Sequence, residues 1–167
     1  MTAGDVFALT ASNKLVSFNR DAPGTVRTNM AITGLQSGEN LLGIDFRPAD
    51  GQLYALGSSG RIYTINTASG AATMKSMLAA DAADTTAPFT ALAGADFGVD
   101  FNPQADRLRV VSNTGLNLRI NVDSGATTTD GTINGGAANG AVTAAAYTNS
   151  FAGTASTSLY VLDTASD

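Results

Sequence analysis

The chain has 167 residues, the size of one domain, and its nine basic and fourteen acidic residues give a net charge of −5. An acidic chain without a basic patch argues against nucleic acid or an anionic membrane surface as a partner. The sequence contains no His, Cys or Trp, which excludes a Ser-His triad, a thiol nucleophile and the usual zinc sites. No apolar run approaches the roughly 18 residues of a membrane span.

The first elements of the chain form a predicted hairpin. Residues 6–19 indicate a strand, a short turn and a second strand, and they match residues 53–66 one for one at an offset of 47. The composition of residues 20–24 predicts a turn, and residues 25–35 are expected to form a further strand. The segment MTAGDVFALT lacks the basic and apolar regions of a signal peptide, so it predicts either a cytosolic chain or the mature part of an exported one.

The centre of the chain is a sequence repeat. Residues 44–70 return without a gap as residues 99–125, and nine of the 27 paired residues are identical. A repeat of this length indicates a stack of similar structural units. Each unit is expected to hold four strands, which in the first repeat lie at 41–46, 52–57, 61–66 and 71–78. Ala and Met would also favour a helix in the fourth element, but its Thr-rich equivalent at 126–133 favours a strand.

Four short antiparallel strands per repeat are typical of a propeller blade. We therefore expect an all-β, propeller-like single domain over residues 1–167, with about three four-stranded blades plus a partial one. The repeats cover residues 6–35 (partial), 41–78, 97–133 and 141–167 (partial). An unclosed array exposes sheet edges and apolar faces, so we expect a second copy of the chain, further repeats of a longer protein or a compact closed form to cover them.

Two segments carry a resemblance to a known family: GVDFNPQADRLRVVSNTGLNLRINVDSGATT (98–128) and AVTAAAYTNSFAGTASTSLYVLDTASD (141–167). They resemble a bacterial, mostly exported family known as domain-of-unknown-function family 4394. The resemblance covers nearly the whole chain and implies a propeller-like fold in an extracellular or cell-envelope setting. Members of that family usually continue with further repeats beyond the position of Asp167. The resemblance implies no activity and no catalytic residues.

The second full repeat contains a group of basic side chains. A hairpin register that places its apolar residues on one face pairs Arg109 with Arg119 on the other face. Arg107 and Asn117 share that face. Like charges opposed across a strand pair are destabilising unless an anion lies between them, so the group predicts a site for a carboxylate or an acidic sugar. The alternative is that aspartates of neighbouring repeats neutralise the arginines structurally.

Asp45 and Asp100 recur at the same place in otherwise apolar Gly-(Ile/Val)-Asp-Phe segments. Because a buried carboxylate must be paired or hydrogen-bonded, we expect a brace to turn backbone or to the arginines. The alternative is a site for calcium or another ligand in a central channel, since hard cations prefer oxygen donors. The aromatic side chains of the repeats are expected to pack between blades rather than to stack on sugars: Phe46, Tyr54, Tyr63 and Phe101.

These observations favour a non-catalytic extracellular structural or binding module that self-associates through open propeller blades. The expected partners are a second copy of the chain, an extracellular polysaccharide or another surface protein, with no nucleic acid and no membrane span. No cofactor is expected unless calcium binds the paired aspartates. Two alternatives stay open: a propeller enzyme of the lyase or lactonase type that uses Asp, Arg and calcium, and a receptor for an anion or an acidic sugar.

Overall fold

The computed structural model describes residues 2–133 and 141–165, and that part of the chain contains β-strands and no α-helix. In chain order the strands are β1 (Val6–Leu9), β2 (Lys14–Asn19), β3 (Ala22–Ala31), β4 (Leu41–Phe46), β5 (Leu53–Gly57), β6 (Arg61–Ile65), β7 (Ala72–Met77), β8 (Ala79–Ala80), β9 (Phe97–Asn102), β10 (Arg107–Ser112), β11 (Asn117–Ile120), β12 (Ala126–Thr129), β13 (Val142–Tyr147) and β14 (Leu159–Asp163). No helix that could span a membrane occurs among these described residues.

The strands form four sheets that follow one another along the chain. Sheet 1 has the order β1-β2-β3, sheet 2 the order β4-β5-β6-β7, sheet 3 the order β8-β12-β11-β10-β9, and sheet 4 the order β13-β14. All strand pairs are antiparallel except the short pair of β8 with β12. The all-β prediction is confirmed. The finer prediction, a propeller-like array of four-stranded blades with partial repeats at both ends, is not shown, because the sheets contain two to five strands and the described residues form no closed propeller.

The departures from four strands have local causes. Sheet 3 gains β8 because residues 79–80 continue past the end of sheet 2 and pair with β12. Sheet 1 begins at the strand equivalent to β5, since the sequence before it lacks the Gly-(Ile/Val)-Asp-Phe strand that opens sheets 2 and 3. In sheet 4, residues 166–167 of the predicted fourth repeat lie outside the described residues.

Several element boundaries differ from the prediction. The element at 71–78 is the strand β7, which confirms strand over helix. The expected turn at residues 20–24 is wrong in length, because β3 already begins at Ala22 and ends at Ala31 rather than at residue 35. Pro23 is tolerated inside β3 because β3 is an edge strand, where a missing backbone N–H removes no bond from the sheet.

The sequence repeat is also a repeat of strand register. Tyr54 pairs with Thr64 across β5 and β6, and the residues 55 positions later, Arg109 and Arg119, pair across β10 and β11. The predicted register of the second hairpin is therefore confirmed. A side-chain period of two allows only this register, because a shift of one residue would turn the apolar side chains towards the opposite face.

The Gly-(Ile/Val)-Asp-Phe segments lie where the first strands of successive sheets approach closely. A Cβ atom added to Gly43 in β4 would lie 2.5 Å from Cγ2 of Val99 in β9. The equivalent Gly98 would place a Cβ 2.6 Å from the backbone nitrogen of Ala145 in β13. Glycine at this position therefore lets the next sheet pack directly against the strand, and β4, β9 and β13 lie side by side.

Two apolar clusters join the sheets. The first lies between sheets 1 and 2 and contains Leu15, Ile32, Leu41, Leu53, Ala55, Tyr63 and Ile65. The second lies between sheets 2 and 3 and contains Tyr54, Leu56, Ile62, Leu78, Phe101, Leu108, Val110, Leu118, Ile120 and Val122. Strand β5 contributes alternate side chains to both clusters and is buried along its whole length.

The predicted packing role of the repeat aromatics is confirmed for three of them. Tyr54, Tyr63 and Phe101 are buried, and the rings of Tyr54 and Phe101 meet edge to face with 5.3 Å between their centroids. Phe46 is 39% exposed and contacts the ring of Phe7 at 5.7 Å, so it lies at the border of the first cluster.

Candidate functional site

The arginine pair of the second repeat lies on one wall of a cavity. Arg109 in β10 and Arg119 in β11 face sheet 4. The cavity between these strands and sheet 4 has a volume of about 380 Å³. This volume falls within the range of small-molecule sites, about 300–1,000 Å³. Its lining is mainly polar and comprises Asp81, Asn102, Ala105, Arg107, Arg109, Arg119, Asn121, Ala126, Thr128 and Tyr147. We call it the arginine cavity.

One carboxylate holds the two paired arginines. Nη1 of Arg109 lies 2.6 Å from Oδ2 of Asp130, and Nε of Arg119 lies 3.3 Å from Oδ1 of the same residue. Arg109 also donates to Oδ1 of Asn117 at 2.7 Å and to the hydroxyl oxygen of Tyr147 at 3.2 Å. The like charges that face each other across the strand pair are thus bridged by a single anion of the protein itself.

The structural alternative was that aspartates of neighbouring repeats, such as Asp45 or Asp100, neutralise the arginines. An aspartate does bridge them, but it is Asp130 of the same repeat, and among the described residues neither Asp45 nor Asp100 forms an ion pair with them. Their carboxylates accept backbone N–H groups of the next sheet instead, as described below. Asp130 has no equivalent in the predicted repeat pattern. It follows β12 directly, and its backbone N–H donates to the carbonyl oxygen of Asn117, which fixes it beside the arginines.

The three arginines differ in how far their charge is compensated. Burial disfavours the charge of Arg109, but hydrogen bonds to Tyr147 and Asp130 outweigh burial, so its pKa lies above the ordinary value. The side chain of Arg119 is 52% exposed, and within the described part of the chain its one ion pair is the long contact to Asp130. Among the described residues, Arg107 is hydrogen-bonded only to backbone carbonyl oxygens, those of Ala105 and Asp106. Arg107 and Arg119 therefore keep N–H groups free to bind a ligand.

Arg47 gives a useful comparison because its charge is fully compensated. Its side chain is 11% exposed and forms ion pairs with Asp50, Asp106 and Asp123. It also donates to the hydroxyl oxygen of Tyr54 at 3.2 Å. Three carboxylates surround one arginine there, whereas the described lining of the arginine cavity holds three arginines and Asp81, and Asp130 bridges two of these arginines. The first arrangement is a structural brace between sheets 2 and 3, and the second has an excess of positive charge.

Asp45 and Asp100 form a pair of neighbouring carboxyl groups at the inner strands. Oδ2 of Asp45 accepts the N–H of Phe101 at 2.7 Å, and Oδ2 of Asp100 accepts the N–H of Tyr147 at 2.7 Å. Each aspartate thus holds the aromatic residue at the equivalent place in the next sheet. The carboxylates are hydrogen-bonded as expected, but to strand backbone rather than to turn backbone or to the arginines. Oδ1 of Asp45 also accepts the N–H of Phe46 at 2.8 Å.

The two carboxyl groups lie close enough to influence each other's protonation. Burial raises the pKa of Asp45, and burial together with the nearby charge of Asp45 raises the pKa of Asp100 to about 7. The pair therefore shares one proton near neutral pH. In the part of the chain that the structure describes, no group of three or more His, Cys, Asp or Glu side chains is placed to hold a metal ion. Calcium at this pair stays a prediction.

The sequence prediction missed several residues in and beside the arginine cavity, among them the lining residues Asp81 and Tyr147 and the bridging Asp130. Tyr147 had a signal, since it stands where the repeats have Phe101 and Phe46, and its hydroxyl group is the added feature that meets Arg109. Asp81 lies in the loop after β8, where its carboxylate accepts the N–H of Ala83 at 3.0 Å. Asp81 lies between the two full repeats, and Asp130 lies beyond the matching segments 44–70 and 99–125, so comparison of these segments gives them no signal.

Comparison with known proteins gives the family of the chain. The model of the family described as Domain of unknown function (DUF4394) matches residues 14–167, which is nearly the whole sequence. The chain belongs to this family. The expectation drawn from residues 98–128 and 141–167 is therefore confirmed. A search of curated proteins gave no match for this DUF4394 chain.

Proposed function

We propose that this DUF4394 chain is a non-catalytic binding module and that the arginine cavity binds a carboxylate, in particular an acidic sugar. The observation that carries the proposal is the excess of basic side chains in the described lining of the cavity, which holds Arg107, Arg109 and Arg119 but only one carboxylate, Asp81, while Asp130 bridges two of the arginines from beside it. Planar guanidinium groups bind carboxylates through paired hydrogen bonds, and this geometry adds both affinity and orientation.

The scaffold that we propose is a propeller-type array in which each sheet acts as one blade. Three features support it: the first strands β4, β9 and β13 lie side by side, the hairpin register repeats after 55 residues, and apolar clusters fill the spaces between sheets. The arginine cavity lies between two of these sheets, with strands of sheet 3 on one side and Tyr147 of sheet 4 on the other.

The lining of the cavity favours an acidic sugar over a simple inorganic anion. The side chains of Asn102, Asn121 and Thr128 present amide and hydroxyl groups beside the arginines. These groups both donate and accept hydrogen bonds, as sugar hydroxyls do. A ligand that combines one carboxylate with several hydroxyl groups would use both sets. An extracellular or cell-envelope location, as proposed from the family resemblance, would bring the chain into contact with acidic polysaccharides.

Self-association through open blades is the other part of the proposed function. Its supporting observation is the exposure of Tyr160 and Leu162 on β14. The alternative of a calcium-dependent lyase or lactonase has less support. The paired aspartates already accept three backbone N–H bonds, and the described residues provide no third acidic ligand beside them.

Isothermal titration calorimetry with trigalacturonate, a short uronic acid oligomer, tests the ligand proposal. We expect saturable binding at low ionic strength and none with maltotriose, which is neutral. Arg119→Ala and Arg107→Ala should each weaken binding about tenfold or more, because a hydrogen bond to a charged group contributes about 1.5–3 kcal/mol. Arg27→Ala is the matched control, since Arg27 is an exposed arginine on β3 outside the cavity.

Two outcomes of the same titrations would contradict the proposal. Equal binding by the wild type, Arg119→Ala and Arg27→Ala variants would place any binding outside the arginine cavity. Absence of binding by the folded wild type at low salt would contradict the acidic sugar as ligand.

A further inference from the structure

Strand β14 repeats the sequence of β5 but not its burial. Residues 159–162 are Leu-Tyr-Val-Leu, and residues 53–56 are Leu-Tyr-Ala-Leu. Tyr54 and Leu56 are 1% and 0% exposed, whereas Tyr160 and Leu162 are each 67% exposed. The same two side chains in the same kind of strand are thus covered in sheet 2 and uncovered in sheet 4.

The residues that bury Tyr54 and Leu56 show what this side of a β5-type strand packs against. Both side chains belong to the apolar cluster between sheets 2 and 3, and the ring of Tyr54 packs against Phe101. Their partners in sheet 3 include Leu108 and Val110, which face back towards sheet 2. A face of the β5 type therefore packs against the apolar face of a following sheet. We call the side chains of Tyr160 and Leu162 the outgoing face.

Sheet 1 carries the complementary type of face at the other end of the array. Val6 and Ala8 in β1 lie opposite Phe18 and Val16 in β2, and the period of two places all four side chains on one side of the sheet. The other side of sheet 1, with Leu15, packs against sheet 2. We call the four side chains the incoming face.

The incoming face is also less covered than its equivalents. The residues 47 positions later are Leu53, Ala55, Tyr63 and Ile65. All four are buried against sheet 1, whereas the four residues of the incoming face are only half-buried. The contact between sheets 1 and 2 and the contact between sheets 2 and 3 thus each join a face of the outgoing type to one of the incoming type. Among the described residues, one face of each type is left uncovered at the two ends of the array.

We propose that two copies of the chain associate head to tail, with the outgoing face of one copy packed on the incoming face of the other. The second copy is the partner because the chain itself carries the surface that covers such a face twice within its own fold. Burial of a Tyr and a Leu supplies the driving force. The contact joins unlike faces, so it is heterologous and closes only if the rotation between copies forms a ring. The inference rests on the self-association part of the proposed function and does not depend on the ligand of the arginine cavity.

Engineered cysteines test the pairing of faces, and the absence of Cys from the chain gives a clean background. Ala8→Cys and Tyr160→Cys proteins are prepared separately, checked for folding by circular dichroism, mixed at micromolar concentration and oxidised. We expect the mixed disulfide to be the main product. Ala68→Cys serves as the matched control for Ala8→Cys, because Ala68 is exposed in a turn of sheet 2 away from both faces.

Light scattering across a dilution series tests the association without cross-linking. We expect the mass of the wild-type chain to rise with concentration, and the Tyr160→Ser, Leu162→Ser double variant to raise the dissociation constant about a hundredfold. Phe151→Ser is the control, since Phe151 is 58% exposed but lies outside β14. A monomeric mass at every concentration, or a disulfide of Tyr160→Cys formed only with itself, would overturn the proposal.

Discussion

The guanidinium group of Arg47 binds the carboxylate of Asp106 through two parallel hydrogen bonds, Nε to Oδ1 at 2.8 Å and Nη2 to Oδ2 at 2.5 Å. Arg47 follows the last residue of β4 in sheet 2, and Asp106 lies in the turn before β10 in sheet 3. Asp106 adopts a φ of 50°, at the place where the preceding repeat has Gly51. Aspartate tolerates this left-handed conformation, and here it aims its carboxylate at the neighbouring sheet.

Loss of this contact should loosen sheet 2 from sheet 3. We expect Arg47→Ala to lower the free energy of unfolding by about 2 kcal/mol, because three aspartates then lose the cation between them. Arg47→Lys should recover only part of this loss, since an ammonium group cannot form the paired contact. Urea denaturation measures both, with Arg27→Ala as the exposed control. Equal stability of Arg47→Ala and Arg27→Ala would contradict the brace.

The paired carboxyl groups of Asp45 and Asp100 predict a dependence of stability on pH. The pKa of Asp100 is raised to about 7, so the folded chain keeps a proton that the unfolded chain loses near pH 4. This contribution to stability is present below pH 4 and is lost as the pH rises from about 4 to 7. Its size is on the order of 2–4 kcal/mol. Melting temperatures from pH 4 to pH 8 measure it.

Two amide variants separate the roles of the pair. Asp100→Asn keeps an acceptor for the N–H of Tyr147 and removes the charge, so we expect it to raise the melting temperature at pH 8 and to flatten the pH profile. Asp45→Asn removes one of two accepting oxygens and should destabilise by about 2 kcal/mol at both pH 5 and pH 8. Equal effects of the two variants would contradict the assignment of the shared proton to Asp100.

Glu39 is a buried acceptor for several hydrogen bonds. Ser59 donates its N–H at 2.6 Å and its hydroxyl at 2.7 Å, and the hydroxyl of Tyr63 donates at 3.1 Å. Burial alone would raise the pKa of Glu39, but these hydrogen bonds outweigh it and lower the pKa below the ordinary value. Its contribution to stability is therefore present above about pH 4.3 and is lost as the pH falls through the lowered pKa.

Substitution of the buried glutamate should be costly. We expect Glu39→Gln to reduce the free energy of unfolding at pH 7 by about 2 kcal/mol, because an amide nitrogen then faces donor groups. Denaturant titration at pH 7 and pH 4 measures the effect, which should shrink at the lower pH. Asp21→Asn is the control, since Asp21 is exposed in the turn before β3. A loss for Glu39→Gln no larger than for Asp21→Asn would contradict this account.

Substitution of Asp130 distinguishes between two roles of the arginine pair, ligand binding and structural support. Asp130→Asn removes the negative charge from Arg109 and Arg119, so we expect trigalacturonate to bind severalfold more tightly while stability falls by about 1 kcal/mol. Calorimetric titration and thermal melting measure the two effects. If the arginines are only structural, the variant will lose stability without any gain in binding.

Much of the local structure could be predicted because the apolar residues alternate. Leu108, Val110, Leu118 and Ile120 can share a buried face in only one register, and that register pairs Arg109 with Arg119. The repeat also indicated the aspartate braces, since the chain places the same Gly-(Ile/Val)-Asp-Phe segment at equivalent points.

The contacts of the site could not be predicted in the same way. Asp130 and Asp81 lie outside the matching segments 44–70 and 99–125, and their positions depend on how β12 and β8 pair. Arg47 meets the turns of the next sheet, which are 59 and 76 residues away along the chain. Such contacts depend on the packing of sheets, for which alternation and turn composition give no information. The number of strands in sheet 3 could not be predicted for a related reason. Its fifth strand, β8, comes from the end of the preceding repeat and pairs with β12.

Binding at the arginine cavity is the central claim, and the Nε–H signals of the seven arginines test it most directly. In a ¹⁵N-labelled sample titrated with trigalacturonate, the account predicts that the signals of Arg107 and Arg119 shift with a common dissociation constant. The signal of Arg47 should stay in place, because three carboxylates already surround that side chain. Shifts at Arg47 or at the exposed Arg27 without shifts at Arg107 and Arg119 would contradict the account.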